Sequence, residues 1–264
     1  MNNEEYARMH ALETDYWWFA GRRAIIAQLL NTARAEIEAA SPRLLDIGCG
    51  TGANLPMLRD FVGDGRVVGA DFSPLALQFA QRHPASHNVL LLRADGLKLP
   101  FADDSFDIVT MLDVLEHLED DCLALQEVRR VLRPGGALVW SVPAYQKLWS
   151  AHDEALHHFR RYEFRALQKL MRTEGFSIRK ISFAMSLMPP IAWLWRRLVL
   201  PFAPRRPRDA TRHSQGAILP QVPSPFNRAL VGYLAAEGKI LTRRPLRFGT
   251  SLVGIAVKKR GSRQ

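Results

Sequence analysis

The chain has 264 residues, 47% of them hydrophobic and 23% charged, a balance that excludes fibrous and disordered classes and fits a folded globular protein. Its net charge of +10 is unevenly placed: residues 185–264 hold 15 Lys and Arg against 2 acids, Asp209 and Glu237, while residues 1–184 hold 21 against 24. Two cysteines, an N-terminus without a basic or apolar signal region, and no run of ~20 uninterrupted apolar residues argue against a disulfide scaffold, secretion and a membrane span, so a cytoplasmic location is expected.

Residues 4–40 read as helical, and residues 1–40 are expected to form an aromatic cap. Tyr16-Trp17-Trp18-Phe19 leads into Arg22, Arg23 and the apolar Ile25, Ile26, Leu29 and Leu30 at helical spacing. The aromatics either form a flap over a ligand cleft or pack the helix onto the domain.

From Arg43 strands and helices alternate. Leu44–Asp46, Arg66–Ala70, Val89–Arg93, Phe106–Met111 and Ala137–Val142 read as strands, and Ala53–Phe61, Pro74–Arg82 and Cys122–Leu132 as helices, with turns at Gly63–Gly65 and Pro134–Gly136. This predicts an α/β, doubly wound, Rossmann-like sheet whose ligands bind at the carboxyl ends of the strands.

The first strand runs into Gly48-Cys49-Gly50-Thr51-Gly52, a turn where glycines let the backbone bend sharply and approach a ligand. Gly48-x-Gly50-x-x-Ala53 satisfies the loose dinucleotide pattern. Asp46 at the strand tip argues the other way, because a carboxylate repels a pyrophosphate and suits the ammonium and sulfonium of S-adenosylmethionine. Asp71, followed by Phe72, ends the second strand where a carboxylate accepts from ribose hydroxyls of either cofactor. Asp95-Gly96-Leu97 follows the third strand, with Asp95 placed either to accept an adenine amine or to cap a turn.

Leu45-Asp46-Ile47-Gly48-Cys49-Gly50-Thr51-Gly52, Asp71, Ala94-Asp95, Phe106-Asp107-Ile108-Val109, Val114-Leu115-Glu116-His117 and Leu132-Arg133-Pro134-Gly135-Gly136 together resemble the successive motifs of class I S-adenosylmethionine-dependent methyltransferases. They are most similar to the bacterial small-molecule group related to ubiquinone-pathway O-methyltransferases. The resemblance covers residues 43–143. It implies a seven-stranded sheet with the last strand antiparallel, in which Asp46, Gly48, Gly50 and Gly52 surround the methionine moiety. Asp71 and Phe72 would then meet the ribose, Asp95, Gly96 and Leu97 the adenine, and Leu112 and Asp113 the sulfonium and the nucleophile. Ser177–Phe183 and Thr250–Lys258 supply the last two strands, completing a domain of residues 41–184 and 250–260.

Residues 152–162, His-Asp-Glu-Ala-Leu-His-His-Phe-Arg-Arg-Tyr, follow the fifth strand at the cofactor end. His152, Asp153 and His157 are candidates for a general base, and Arg160 and Arg161 for an anion clamp. No metal is expected; the alternative is Asp113, Glu116 and His117, similar to ligands of some ubiquinone-pathway enzymes, completed by His152 or His157.

Residues 185–249 are an insertion, since a hairpin needs only a short connection. Met185–Pro204 carries Trp193 and Trp195 beside Arg196-Arg197, and Arg205-Arg206-Pro207-Arg208 follows, a pattern that suits either a substrate lid or a peripheral contact with an anionic membrane. Residues 209–225 read as a mobile loop. Asn227–Arg243 reads as a helix capped by Asn227, with Leu230, Leu234, Ile240 and Leu241 packing on the preceding segment. The expected function is methyl transfer to a small amphiphilic or lipid-linked acceptor, with no nucleic-acid partner. A nucleic-acid methyltransferase and a non-catalytic, membrane-associated binding protein are the competing readings.

Overall fold

The computed structural model describes residues 10–187 and 222–260. The elements are α1 (Trp17–Ala33), β1 (Arg43–Ile47), α2 (Leu55–Val62), β2 (Arg66–Asp71), α3 (Pro74–Arg82), β3 (Val89–Arg93), β4 (Phe106–Leu112), α4 (Asp121–Val131), β5 (Leu132–Pro143), α5 (Ala151–Ala155), α6 (Phe164–Thr173), β6 (Phe176–Ala184), α7 (Ser224–Arg243) and β7 (Ser251–Lys258). The strands form one seven-stranded sheet in the order β3-β2-β1-β4-β5-β7-β6. β7 lies antiparallel between β5 and β6, as expected, and the strand order reverses between β1 and β4.

β4 is buried at every position and β1 at all but its first, because helices cover both faces of the sheet's centre. One core forms around Leu45, Val109, Leu125, Val128, Leu138 and Trp140. The other forms around Ile26, Leu30, Leu44, Ile108, Val139 and Val253.

Pro134-Gly135-Gly136 does not end a helix–strand turn as anticipated. It lies inside the long strand β5, where Phe106 pairs with Leu132 but Ile108 already pairs with Ala137. The extra residues form a bulge, and Gly135 takes φ 85° there.

Two expectations for α7 are also corrected. The helix begins at Ser224 with a proline in its first turn, so Asn227 is inside it. Asn227 instead reaches across to α1, whose Trp17 N–H it accepts at 2.8 Å, while its amide donates to Asp15 O at 2.8 Å. Leu234 and Leu241 are buried with the α1 core residues, whereas Ile240 stays 40% exposed. α7 is thus part of the layer formed with α1, and Gly21 is what lets it approach: a Cβ there would stand 2.2 Å from Leu234 Cδ1.

Where the chain leaves β6 it is fastened to the same helix. The buried Glu237 carboxylate accepts Met185 N–H at 2.6 Å and Ser186 N–H at 3.0 Å. Trp193, Trp195, the arginine run and most of the 209–225 loop, for which the sequence raised expectations, lie outside the described residues. No described helix is long and apolar enough to cross a membrane.

A candidate S-adenosylmethionine site and its neighbours

The site is built at the carboxyl ends of β1, β2 and β4. β1 delivers Asp46 fully buried, with Oδ1 accepting the Thr110 hydroxyl of β4 at 2.6 Å. Its Oδ2 has no hydrogen-bond partner among the described residues, and burial pushes the carboxyl up to about 7. A buried oxygen left unpaired is costly, and a cationic group placed against it would remove that cost.

The loop after β1 has positive φ at Gly48 (69°), Gly50 (57°) and Gly52 (91°). A Cβ at Gly48 would meet Val114 Cγ2 at 2.4 Å, so glycine is needed for the loop to lie against the turn after β4. At Gly50 a Cβ would meet nothing within 4 Å, which marks the open side of the cradle. Asp71, at the tip of β2, accepts Gly50 N–H at 2.9 Å and Ser73 N–H at 2.8 Å, and burial raises its carboxyl. The ribose candidate therefore also holds the loop in shape.

Next to Asp71, Phe72 is 65% exposed, with the Arg93 guanidinium 5.2 Å from its ring centre. Asp95 accepts Leu97 N–H at 2.9 Å, so its carboxylate closes the turn through Gly96, and Leu97 packs at the edge of the core. Both features suit an open-sided aromatic slot.

After β4, Leu112 is buried and Asp113 adopts φ 55°, a conformation that strains a non-glycine residue. Several contacts hold it there. Ser141 Oγ donates to Asp113 Oδ1 at 2.8 Å, Asp113 N–H donates to Ser141 O at 2.9 Å, and Arg22 of α1 donates to Oδ2 and to Leu112 O. Arg22 was not singled out from the sequence as a site residue. Its guanidinium stacks 5.0 Å over the Trp18 ring, and burial draws it down to about 10.

The loop after β5 is arranged differently from its expected roles. Asp153 is fully buried in a capping box with Ser150 and takes Arg161 at 2.7 and 3.0 Å. Burial alone would raise this carboxyl; the Arg161 and His158 hydrogen bonds bring it below the usual range. Arg161 is therefore not a free anion clamp, and Arg160 is occupied by Asp121 at 3.0 Å. His152 and His157 are exposed.

His158, by contrast, bonds Asp153 Oδ1 through Nδ1 at 2.9 Å and lies edge-on to His117, ring centres 4.6 Å apart. Glu116, His117 and His158 each place a ligand-type atom within 4.8 Å of the others. Glu116 is buried with Oε2 unpartnered among the described residues, and burial lifts it to about 8 while drawing His117 down to about 4. Of the anticipated metal trio, Asp113 is committed to Arg22, and the histidine that joins Glu116 and His117 is His158. The signal was available in the sequence as three histidines in one loop, but the register that turns His158 inward depends on the positive φ of His157 (57°).

Residues 45–140 match a family model described as a methyltransferase domain. The demethylmenaquinone methyltransferase of Staphylococcus aureus is 37% identical over 118 residues, 42% of this chain and 49% of that one. That of Thermus thermophilus is 43% identical over 105 residues, 39% of this chain and 48% of that one. The chain spans about half the length of the curated relatives it matches. Over residues 45–140 the chain is thus similar to methyltransferase domains.

Solved structures agree on the fold. A chain of a Haloferax volcanii complex containing the Trm112 methyltransferase activator superposes with TM-score 0.61 at 22% identity, over 98% of this chain and 96% of that one. An S-adenosylmethionine-dependent methyltransferase of Thermotoga maritima gives 0.54 at 18% identity, over 92% and 93%. The methyltransferase domain implies S-adenosylmethionine as cofactor, and the site fits it: Asp46 Oδ2 offers an unpaired acceptor for an ammonium, and the cradle is open at Gly50, where a side chain would fill it.

Proposed function

We propose that the protein transfers the methyl group of S-adenosylmethionine to a small amphiphilic acceptor of the quinone-precursor type, at or near an anionic membrane surface. The observation that carries the reading is the convergence of Asp46, Gly50, Asp71 and Asp113 on the strand tips where the sheet order reverses. The cofactor supplies an activated methyl on its sulfonium. Asp46 would accept from its ammonium, Asp71 from its ribose hydroxyls, and Asp95, Gly96 and Leu97 would border its adenine beside Phe72.

Trp17 and Trp18 pack partly buried at the edge of the α1 core and, with Trp18 under the Arg22 that reaches Asp113, would give the acceptor side an apolar wall. The named activity of the curated relatives and the basic residues of 185–264 support an amphiphilic acceptor. His158 is the residue we assign to take the acceptor's proton, with Asp153 fixing its ring and tautomer through Nδ1 so that Nε2 is left as the base. Glu116, kept protonated by burial, and His117 lie beside His158. Holding the two reactants in line and dry contributes up to ~7–11 kcal/mol in favourable systems, so few further groups are required.

The test is incubation of the full chain with methyl-labelled S-adenosylmethionine and a panel of demethylated quinols, catechols, total lipid extract and total nucleic acid, with and without chelator. Label transferred to a quinol or lipid fraction supports the proposal. Label in nucleic acid alone, or cofactor binding without transfer to any fraction, supports the competing readings instead.

A further inference from the structure

Resting on the S-adenosylmethionine reading of the site, we infer that residues 10–33 are a strap whose Glu13–Thr51 and Arg22–Asp113 contacts set the rate at which cofactor enters and leaves, making Glu13 and Arg22 positioning residues.

Two side chains of this segment reach across the cleft, and each lands on a different wall. The Thr51 hydroxyl, inside the glycine loop, donates to the Glu13 carboxylate, and both residues are buried. Arg22, one helical turn into α1, donates to Asp113 on the far side, beyond β4. Asp113 belongs to the acceptor side of the cleft and Thr51 to the cofactor side, so the two contacts bridge the opening from α1. Arg23 stiffens the span between them by donating to Glu13 O and Thr14 O, each at 2.5 Å.

The strap is anchored from behind. Asn227 caps the start of α1 at Trp17, and Leu234 packs into the space Gly21 leaves. What lifts is therefore the stretch before Asp15, once Arg23 releases Glu13 O and Thr14 O, together with the Arg22 side chain. Loop backbone at Gly48–Gly52 cannot yield instead, because Asp71 holds Gly50 and Ala70 O accepts from Gly48 N–H at 2.7 Å and Cys49 N–H at 3.1 Å.

The chemistry of the clasp explains why release would be the step it controls. Thr51 is a neutral donor to a buried carboxylate, and Arg22 is a half-buried cation among carboxylates. Each contact is strong while the cleft is dry and weakens once water enters. Opening one contact lets in water that loosens the other, so the pair behaves as a single clasp.

The experiment loads the full chain with tritiated S-adenosylhomocysteine, chases with excess unlabelled ligand, and follows release by rapid filtration. Thr51→Val should speed release about five- to tenfold, the scale expected when one charge-assisted hydrogen bond is lost, and Arg22→Ala should do the same. Thr51→Ser, which keeps the hydroxyl, should release at the wild-type rate. The Thr51→Val, Arg22→Ala double variant should release little faster than either single variant, because a clasp opened at one end no longer closes the cleft.

Release unchanged in both single variants, with wild type binding normally, overturns the strap and leaves the cofactor reading intact. So does Thr51→Ser behaving like Thr51→Val, which would make the effect one of loop packing. No binding of S-adenosylhomocysteine by wild type overturns the cofactor reading and the strap with it.

Discussion

Asn227 caps a helix that begins 210 residues before it: its Oδ1 accepts the Trp17 N–H at 2.8 Å. The first N–H groups of a helix have no partner within it, and a side-chain acceptor there stabilises the whole element. Here the acceptor comes from the insertion, so α7 and the arginine-bearing α1 form one unit packed on a face of the sheet.

Asn227→Ala should therefore destabilise α1 and not α7. The loss is about 1 kcal/mol, as for other removed caps, and it should lower the melting temperature by ~2–4 °C for a chain of this size. Thermal denaturation followed by circular dichroism checks this; Asn227→Asp, which keeps the acceptor, should recover most of the loss.

Gly50→Val should abolish S-adenosylhomocysteine binding while the protein still folds. The backbone at φ 57° makes the substitution cost ~1–2 kcal/mol, but no protein atom opposes the new side chain within 4 Å. It projects into the cradle instead. Gly63→Val is the control: φ is 56° and the space is again open, yet the position is at the end of α2, away from the strand tips. It should cost stability and leave binding unchanged in a calorimetric titration.

Asp46 gives the ligand-free protein a pH dependence of definite sign. Its folded pKa, raised by burial to about 7, lies above the ordinary value of 3.8. The unfolded chain then loses this proton first as pH rises. Stability from this group is fully present below pH ~4 and is lost as pH climbs through about 7. Urea denaturation at pH 5 and pH 7.5 should show the fall, and Asp46→Asn, neutral at both, should reduce it. A cationic ligand moiety at Oδ2 favours the carboxylate, so cofactor binding near pH 6 should release protons, measurable as a buffer-dependent heat.

Once an acceptor is in hand, His158→Ala should reduce turnover by ~10²–10⁴-fold, the usual contribution of a positioned base, with little change in cofactor affinity. His152→Ala and His157→Ala should stay within a few-fold of wild type. Asp153→Asn should shift the pH–rate profile as well as lower the rate, because it changes what holds the His158 ring.

Much of this was legible in the sequence. The alternation of apolar strands and helices from Arg43 located the first five strands, the fifth starting five residues earlier than read, and the resemblance supplied the last two; apolar runs report burial, and the centre of the sheet is buried on both faces. Asp46 and Asp71 were legible from their places at strand tips. Tertiary contacts between distant segments were not. Arg22 reads as one more polar position on an amphipathic helix until α1 is laid across β4. Asn227 reads as a local cap, since an asparagine before an apolar run ordinarily is one. His158 differs from His152 and His157 only in which way the loop turns, and that is decided by Arg161 and His158 both finding the buried Asp153.

The most direct test is calorimetric titration of the full chain with S-adenosylhomocysteine beside NADH. Micromolar binding of the first, none of the second, and loss of binding in Gly50→Val would uphold the assignment of the β1 loop as an S-adenosylmethionine site. Binding of NADH in its place, or S-adenosylhomocysteine binding that survives Gly50→Val unchanged, would contradict it.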